Sequence, residues 1–190
     1  MKKNTIFFQF TLIAFMITGS FTHAHEHGAH VHGIGKIALA IETSTQANID
    51  LDVAGDSIMG FEHAATSPKD KKAKDDSFKK LAENGGTLLQ FDPKLNCVVT
   101  NLKVEIEKEA VDLKETKAEK AAEAKEKHGE HSDVNASYTV KCASPLLGSK
   151  VQVGIFKLFP KIKSVKLEIL SPTAQNQQEI KDAHTSITIP

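Results

Sequence analysis

The chain has 190 residues, and its 24 basic residues, all lysine, balance 24 acidic residues, so the formal net charge is zero at pH 7. A near-neutral chain without arginine lacks the basic face that phosphate contacts need, which argues against nucleic-acid binding. Hydrophobic residues make up 40% of the chain, enough for one ordinary core.

The first 24 residues have the layout of a secretory signal peptide. Lys2 and Lys3 give a positive start, residues 6–21 are mostly apolar, and Thr22-His23-Ala24 resembles a cleavage site. The apolar stretch is shorter than the roughly 20 residues of a membrane-spanning helix, and no second long apolar run follows. We therefore expect cleavage after Ala24 and no stable membrane insertion afterwards.

The start of the mature chain, residues 25–33, is rich in histidine and forms a candidate metal-binding segment. Its histidines make two H-x-H pairs, which are His25 with His27 and His30 with His32. Side chains two residues apart project to the same side of an extended chain, and Gly28 and Gly33 allow the backbone to bend around an ion. Neutral imidazole binds Zn²⁺, Cu²⁺ and Ni²⁺. The alternative is a flexible polar tail without ligands.

Residues 34–190 are predicted to form a single β-rich domain. Ile34–Glu42 and Ala47–Gly55 alternate apolar and polar residues, as half-buried strands do, across a hairpin-length loop. Residues 57–65 are a further short extended candidate. Residues 67–84 predict an amphipathic helix, with Ser67 as N-cap, Pro68 in the first turn, and Gly85-Gly86 as the stop.

Strand patterns resume in residues 87–91 and 97–109. Residues 108–133 are rich in Ala, Glu and Lys, which favour helix, but they have almost no large apolar residues. We interpret them as an insertion, either a solvated helix or a disordered segment. Near its end, His128 and His131 form a second candidate metal-binding cluster together with Glu130 and Asp133; the alternative is a solvated helix end.

The last third adds four strand candidates, with Pro160, Pro172 and residues 172–182 marking turns. The candidates are residues 136–142, 150–159, 164–170 and 186–189. The sequence therefore predicts a mainly-β or α+β fold of seven or eight antiparallel strands with one or two helical insertions.

The two cysteines, Cys97 and Cys142, each sit in a strand-like run. An even cysteine count in an exported chain predicts a disulfide. The rival interpretation is a pair of thiolate metal ligands, but such cysteines usually occur in close pairs such as C-x2-C.

His63 stands beside Glu62 in an otherwise apolar run. It is a candidate ligand that can complement the N-terminal pairs, although a lone histidine in such a run is more often structural. His184 is expected to be a loop residue.

Several segments together resemble the ZrgA-like family of bacterial zinc-regulated periplasmic proteins. They are "HEHGAHVHGIGKIALAIE", "GFEHA", "SDVNASYTVKC" and "GIFKLFPKIKSVKLEI…QNQQE", and they cover nearly the whole mature chain in order. The resemblance implies a periplasmic protein that binds zinc and assists its uptake beside an ABC-type importer.

Members of that family carry a histidine-rich N-terminus and a histidine-rich insertion. The resemblance maps the first onto His25, His27, His30 and His32 and the second onto His128 and His131, and it strengthens His63 as a ligand. The insertion departs from the family pattern, since it has two histidines instead of a long run, which argues against high-capacity buffering.

Two other functions remain open from the sequence. A copper-binding protein or histidine-ligated metalloenzyme is one, because His25 would offer an α-amine and a ring after cleavage. Against an enzyme, "HEHGAH" is not the H-E-x-x-H motif, and no G-x-S-x-G motif is present, so we expect no enzymatic activity. The other is a structural β-domain whose histidine-rich tail is incidental.

Overall fold

The alternating residues of the first two predicted strands form a hairpin at the centre of a computed structural model, which describes residues 31–108 and 132–190. β1 (Ile34–Thr43) pairs antiparallel with β2 (Gln46–Ala54), and Leu39 lies opposite Ile49. These two side chains are fully buried, whereas Lys36 is exposed on the opposite face. The hairpin is therefore confirmed.

The remaining elements follow in chain order. They are α1 (Gly55–Met59), α2 (Pro68–Glu83), α3 (Gly85–Leu88), β3 (Leu89–Phe91), a 3-10 turn (Pro93–Leu95), β4 (Val98–Lys108), β5 (Ser132–Lys141), β6 (Lys150–Val153), α4 (Ile155–Leu158), β7 (Ser164–Leu170), β8 (Gln175–Ile180) and β9 (Ser186–Thr188).

The strands form a six-stranded sheet in the order β4-β5-β2-β1-β7-β8 and a three-stranded sheet in the order β3-β6-β9. The mainly-β fold is confirmed, and nine strands are present in the described ranges where seven or eight were predicted. The strands pair antiparallel as predicted, except that β1 and β7 run parallel. A parallel pair needs a long crossover, and most of the domain lies between these two strands.

A single buried apolar cluster joins the inward faces of both sheets with the helices. Tyr138 of β5 crosses this core, and its hydroxyl donates to the backbone carbonyl of Leu81 in α2 at 3.1 Å. Burial raises the pKa of the Tyr138 phenol above its usual range. The hydrogen bond holds α2 against the sheet and gives the buried Tyr138 hydroxyl a partner.

The predicted amphipathic helix is confirmed as α2. The Ser67 hydroxyl accepts a hydrogen bond from the backbone N–H of Asp70 at 3.1 Å, as an N-cap does, and Pro68 is the first helical residue. α2 ends at Glu83, and Gly85, which was predicted to stop the helix, is the first residue of α3. A Cβ at Gly85 would lie 2.7 Å from the Tyr138 ring, so glycine is required there for close packing.

Three segments differ from the sequence-based expectation. Residues 57–65 were predicted to be extended, but their first residues belong to α1, which ends at Gly60 with φ of 90°. Residues 150–159 were predicted as one strand, but β6 gives way to α4. Residues 172–182 were predicted as turns, but they contain β8, which pairs along β7.

The predicted insertion is shorter than expected from the sequence. Its assumed boundaries, 108 and 133, fall inside β4 and β5, and Lys108 lies directly opposite Ser132. Residues 109–131, with His128 and His131, lie outside the described residues. So do the predicted signal peptide, residues 1–24, and the segment 25–30.

The disulfide between Cys97 and Cys142 is present, which confirms the predicted pairing and excludes the thiolate-ligand alternative. Cys97 directly precedes β4, and Cys142 directly follows β5. The bond therefore fastens these strands at the end opposite the insertion. Within the described ranges, no helix combines the length and the apolar character that crossing a membrane requires.

Candidate metal centre

Two of the predicted ligands, His32 and His63, lie in the described part of the chain. The other five lie outside it, and they are His25, His27, His30, His128 and His131. The geometry around His32 and His63 therefore decides what the described residues contribute to a metal site.

His32 is held at the start of β1 by the backbone of the residue that follows it. The N–H of Gly33 donates to the Ser57 hydroxyl of α1 at 3.0 Å, and this bond is buried. The carbonyl of Gly33 accepts from the N–H groups of Lys163 and Ser164 at 2.7 and 3.1 Å. Because Gly33 has φ of 80°, a conformation that L side chains rarely adopt, glycine suits this anchoring turn.

The His32 ring meets a carboxylate from another part of the chain. Its Nε2 lies 2.8 Å from Oε1 of Glu62, whose side chain is 14% exposed against 58% for His32. The backbone carbonyl of Glu62 accepts a hydrogen bond from the Ser132 hydroxyl at 2.8 Å. Glu62 therefore connects the start of β1 to the start of β5.

His63 is oriented by its own neighbours. Its ring stacks on Phe61, with centroids 4.9 Å apart and planes 19° from parallel. Its Nδ1 lies 3.1 Å from the carbonyl oxygen of Ala64. In the tautomer that carries the proton on Nδ1, this nitrogen donates a hydrogen bond to that oxygen. This arrangement makes Nε2 the nitrogen through which His63 can bind a metal.

His32 and His63 thus share one chemical arrangement. In each ring, one nitrogen contacts an oxygen acceptor and the second is the nitrogen suited to a metal, Nδ1 in His32 and Nε2 in His63. Metal-binding histidines almost always donate their second ring N–H to a carboxylate or a backbone carbonyl, which fixes the tautomer and orientation.

The topology brings the start of β1, which follows His32, and the start of β5, which follows the insertion, to one end of the six-stranded sheet. At this end, which we call the His32 end, β1, β5 and β7 begin, and β2 and β4 finish. Only β2 separates β1 from β5, so two spacings of about 4.8 Å place their starts about 10 Å apart.

The described residues do not complete a metal site by themselves. Within residues 31–108 and 132–190, no group of three or more His, Cys, Asp or Glu side chains is arranged to hold an ion. Any site at the His32 end therefore needs ligands from the neighbouring segments.

A family model described as "ZrgA family zinc uptake protein" matches residues 29–189. The chain belongs to this family. Membership indicates a zinc-related uptake role and an association with Zn²⁺, and it confirms the resemblance identified from the sequence. Among the curated proteins, none matches this chain.

Sequence reasoning missed two groups at the His32 end. Glu62 was noted only as the neighbour of His63, and Ser57 was not considered. An acidic residue next to a histidine in an apolar run was the available signal for Glu62. For Ser57 the sequence carries no signal, because its role depends on α1 lying beside Gly33.

Proposed function

We propose that this ZrgA-family protein is an exported, periplasmic zinc-binding protein that captures Zn²⁺ through its histidine clusters and assists uptake by a membrane importer. The ligands are His25, His27, His30 and His32 from the N-terminal segment, His63 from the loop after α1, and His128 and His131 from the insertion. The single observation that carries this proposal is the paired arrangement of His32 and Glu62 at the His32 end of the sheet.

The pair supports metal capture because it orients a ligand before the ion arrives. A free tail loses conformational entropy when it binds an ion. The bonds from Gly33 to Ser57 and Lys163 have already ordered the last residue of that tail. A site attached to this anchor therefore binds more tightly than the same histidines in an isolated peptide.

Chain length supports participation of both clusters. A fully extended residue spans at most about 3.6 Å. His131 directly precedes Ser132, and His128 lies four residues before it, so His128 is at most about 14 Å of chain from β5. With the starts of β1 and β5 about 10 Å apart, histidines of both segments can reach a common ion.

We propose binding and not catalysis as the activity. The hydroxyls near α1 have structural partners: Ser57 accepts from the N–H of Gly33, and the Ser77 hydroxyl donates to the carbonyl of Ile58 at 3.1 Å. Zn²⁺ has no redox chemistry, and imidazole ligands release it when they are protonated or exchanged. These properties suit a protein that passes the ion to an importer.

Calorimetric zinc titration of residues 25–190 tests the proposal. We expect alanine in place of His25, His27, His30 and His32 to abolish the tightest binding. Substitution is preferable to deletion, because it keeps Gly33 and its anchoring bonds. His184→Ala, in the loop before β9, is the matched control and is expected to leave the titration unchanged.

A pH series and a metal series complete the test. Only deprotonated imidazole binds metal, so affinity is expected to fall as pH drops below about 6.5, the ordinary histidine value. Equal zinc affinity above and below that pH, or an unchanged titration of the four-alanine variant, would rule out capture by these histidines. A strong preference for Cu²⁺ over Zn²⁺ would replace the zinc assignment.

A further inference from the structure

The longest strand of the structure lies at an edge of its larger sheet. β4 has 11 residues, and within the described ranges it pairs only with β5. The edges of the small sheet, β3 and β9, have three residues each. A long edge strand presents a row of backbone N–H and C=O groups that can pair with another strand.

β4 also exposes apolar side chains. Val98 and Leu102 are 64% and 61% exposed, and Leu102 lies at a bulge where the register with β5 shifts between Asn101 and Lys103. Val104 and Ile106 pack against the core but are only half-buried. Val98 lies opposite the exposed Lys141 on the outer face, whereas Val104 and Ile106 lie opposite buried residues of β5. Beyond the bulge, the inner side of this edge is therefore an incompletely covered apolar row.

Beyond the bulge, the outer face of β4 carries charges in a defined order. Lys103, Glu105 and Glu107 lie opposite Ser137, Asn135 and Asp133 of β5, respectively. Lys103 and Glu105 contact each other at 2.6 Å, with both side chains about half exposed. The order of one positive and then two negative residues makes strand pairing dependent on register.

We propose that β4 pairs antiparallel with β4 of a second copy of this chain, about a twofold axis at Val104. In this register Lys103 of each copy lies opposite Glu105 of the other, which forms two symmetric ion pairs. On the inner face Val104 meets its own copy, and Leu102 meets Ile106. The two six-stranded sheets then form one continuous sheet, and the apolar row of each copy packs beside that of the other.

Neighbouring registers are disfavoured by the same charges. An axis at Lys103 places the two copies of that lysine opposite each other, and an axis at Ile106 sets Glu105 of each copy opposite Glu107 of the other. An axis at Glu105 forms two pairs between Lys103 and Glu107, but it also sets the two copies of Glu105 opposite each other at its centre. Like charges directly opposite one another destabilise a strand pair. An axis between residues sets outer-face side chains against inner-face ones, which the two-residue period of a strand forbids.

The association is weak, because one strand pair buries an area at the low end of specific interfaces. Bulges and charged side chains commonly disfavour pairing of an edge strand with another chain. In β4 the charges also favour one register over its neighbours. We therefore expect a dimer with a dissociation constant in the range of about 10–100 μM.

Sedimentation equilibrium of residues 25–190 with a chelator present tests this proposal independently of zinc binding. Lys103→Glu is expected to weaken the dimer about tenfold or more, because both cross-strand pairs become repulsive. Lys103→Glu combined with Glu105→Lys restores opposite charges and is expected to restore the dimer. A chain that stays monomeric at about 500 μM, well above the expected constant, overturns the proposal.

A cysteine at the axis provides a second measurement. Directly opposite residues in an antiparallel pair have Cα atoms about 4.5–5.5 Å apart, within the range of a disulfide. Val104→Cys is therefore expected to form covalent dimers under mild oxidation, whereas Gln177→Cys on the other edge strand, β8, is not. Equal cross-linking of both variants, or a dimer that Lys103→Glu leaves unchanged, contradicts pairing through β4.

Discussion

Glu62, in the loop after α1, contacts the residues before β1 and at the start of β5 through its carboxylate and its backbone carbonyl. Its carboxylate contacts the ring of His32, and its backbone carbonyl accepts a hydrogen bond from Ser132. The next residue, His63, is the second described histidine of the candidate site. A carboxylate in this position fixes the tautomer and the ring orientation of the histidine that it contacts.

Replacing Glu62 by glutamine is therefore expected to weaken zinc binding by about 10–100-fold. Glutamine keeps the size of the side chain and leaves the backbone bond to Ser132 in place, but it removes the negative charge beside His32. Calorimetric titration measures the change. Glu83→Gln, at the end of α2, removes an equally negative exposed side chain elsewhere and serves as the control.

Equal zinc affinity in Glu62→Gln and in the unmodified protein would show that Glu62 serves only the fold. Circular dichroism of both variants distinguishes a loss of affinity from a loss of structure.

Tyr138 provides a titration at a single position, because it is the one tyrosine in a chain without tryptophan. Burial raises its pKa above the ordinary value of 10.0. The raised pKa contributes stability that is fully present below pH 10.0 and is lost as pH rises through the folded-state value. The tyrosinate absorbance is therefore expected to stay absent through pH 10.0 and to appear together with alkaline unfolding.

Parallel circular dichroism checks this expectation. Ionisation of half the tyrosine near pH 10.0 with a native spectrum would mean that the phenol is accessible to solvent and that its bond to Leu81 is not maintained.

At the scale of single residues, the sequence singled out candidate ligands but gave no indication of what they contact. His32 and His63 stood out because histidine density and the "GFEHA" segment mark them. The contact between His32 and Glu62 joins residues 30 positions apart. It depends on how the loop after α1 folds back to β5, which no local pattern specifies.

The element scale is best illustrated by the junction of β6 and α4. Gly154 separates the two elements, and its N–H donates to the carbonyl of Leu88 at 2.9 Å. A Cβ at this position would overlap the backbone carbonyl oxygen of Thr87. The close approach of two backbone segments is therefore possible only with glycine.

Gly154→Ala is expected to lower the free energy of unfolding by about 3 kcal/mol or more, because a backbone atom cannot yield as a flexible side chain does. Gly86→Ala in α3 is the matched control. A Cβ added at Gly86 would meet no atom within 4 Å, so the change should be within about 1 kcal/mol and favour the helix. Urea unfolding measures both, and similar stability of the two variants would contradict this close approach.

Periodicity explains which elements were predictable. β1, β2 and β7 alternate apolar and polar residues, and their positions were predicted within a few residues. β8 has the sequence QNQQEI, with five exposed residues and no alternation. It is a strand because β7 offers it an edge to pair with, so tertiary context decides it. The same holds for α1 and α4, which are single turns within runs that look extended.

At the scale of the whole molecule, the disulfide and the insertion occupy opposite ends of one strand pair. Cys97 and Cys142 join β4 and β5 at one end. At the other end Lys108 lies opposite Ser132, beside the start of β1 that follows His32. The disulfide therefore lies at one end of the sheet, and the segments that carry the predicted histidine ligands join it at the other end.

The strand pair should therefore fold without the insertion. Replacing residues 109–131 by Asn-Gly closes Lys108 and Ser132 with a two-residue turn that suits antiparallel strands. The entropy cost of closing a loop grows only with the logarithm of its length, so a shorter loop costs somewhat less. Shortening residues 109–131 to two residues saves at most about 2 kcal/mol by this scaling. We therefore expect the melting temperature to stay the same or to rise by a few degrees, up to about 8 °C in a domain of this size.

Zinc titration of the shortened protein shows whether the second cluster takes part in capture. If His128 and His131 bind zinc together with the N-terminal histidines, affinity falls and the fold is retained. The full-length variant with alanine at both positions should then lose the same affinity, because it removes the same imidazoles and keeps the loop. Unchanged zinc binding in both proteins would confine the site to the N-terminal segment and the loop that carries Glu62 and His63.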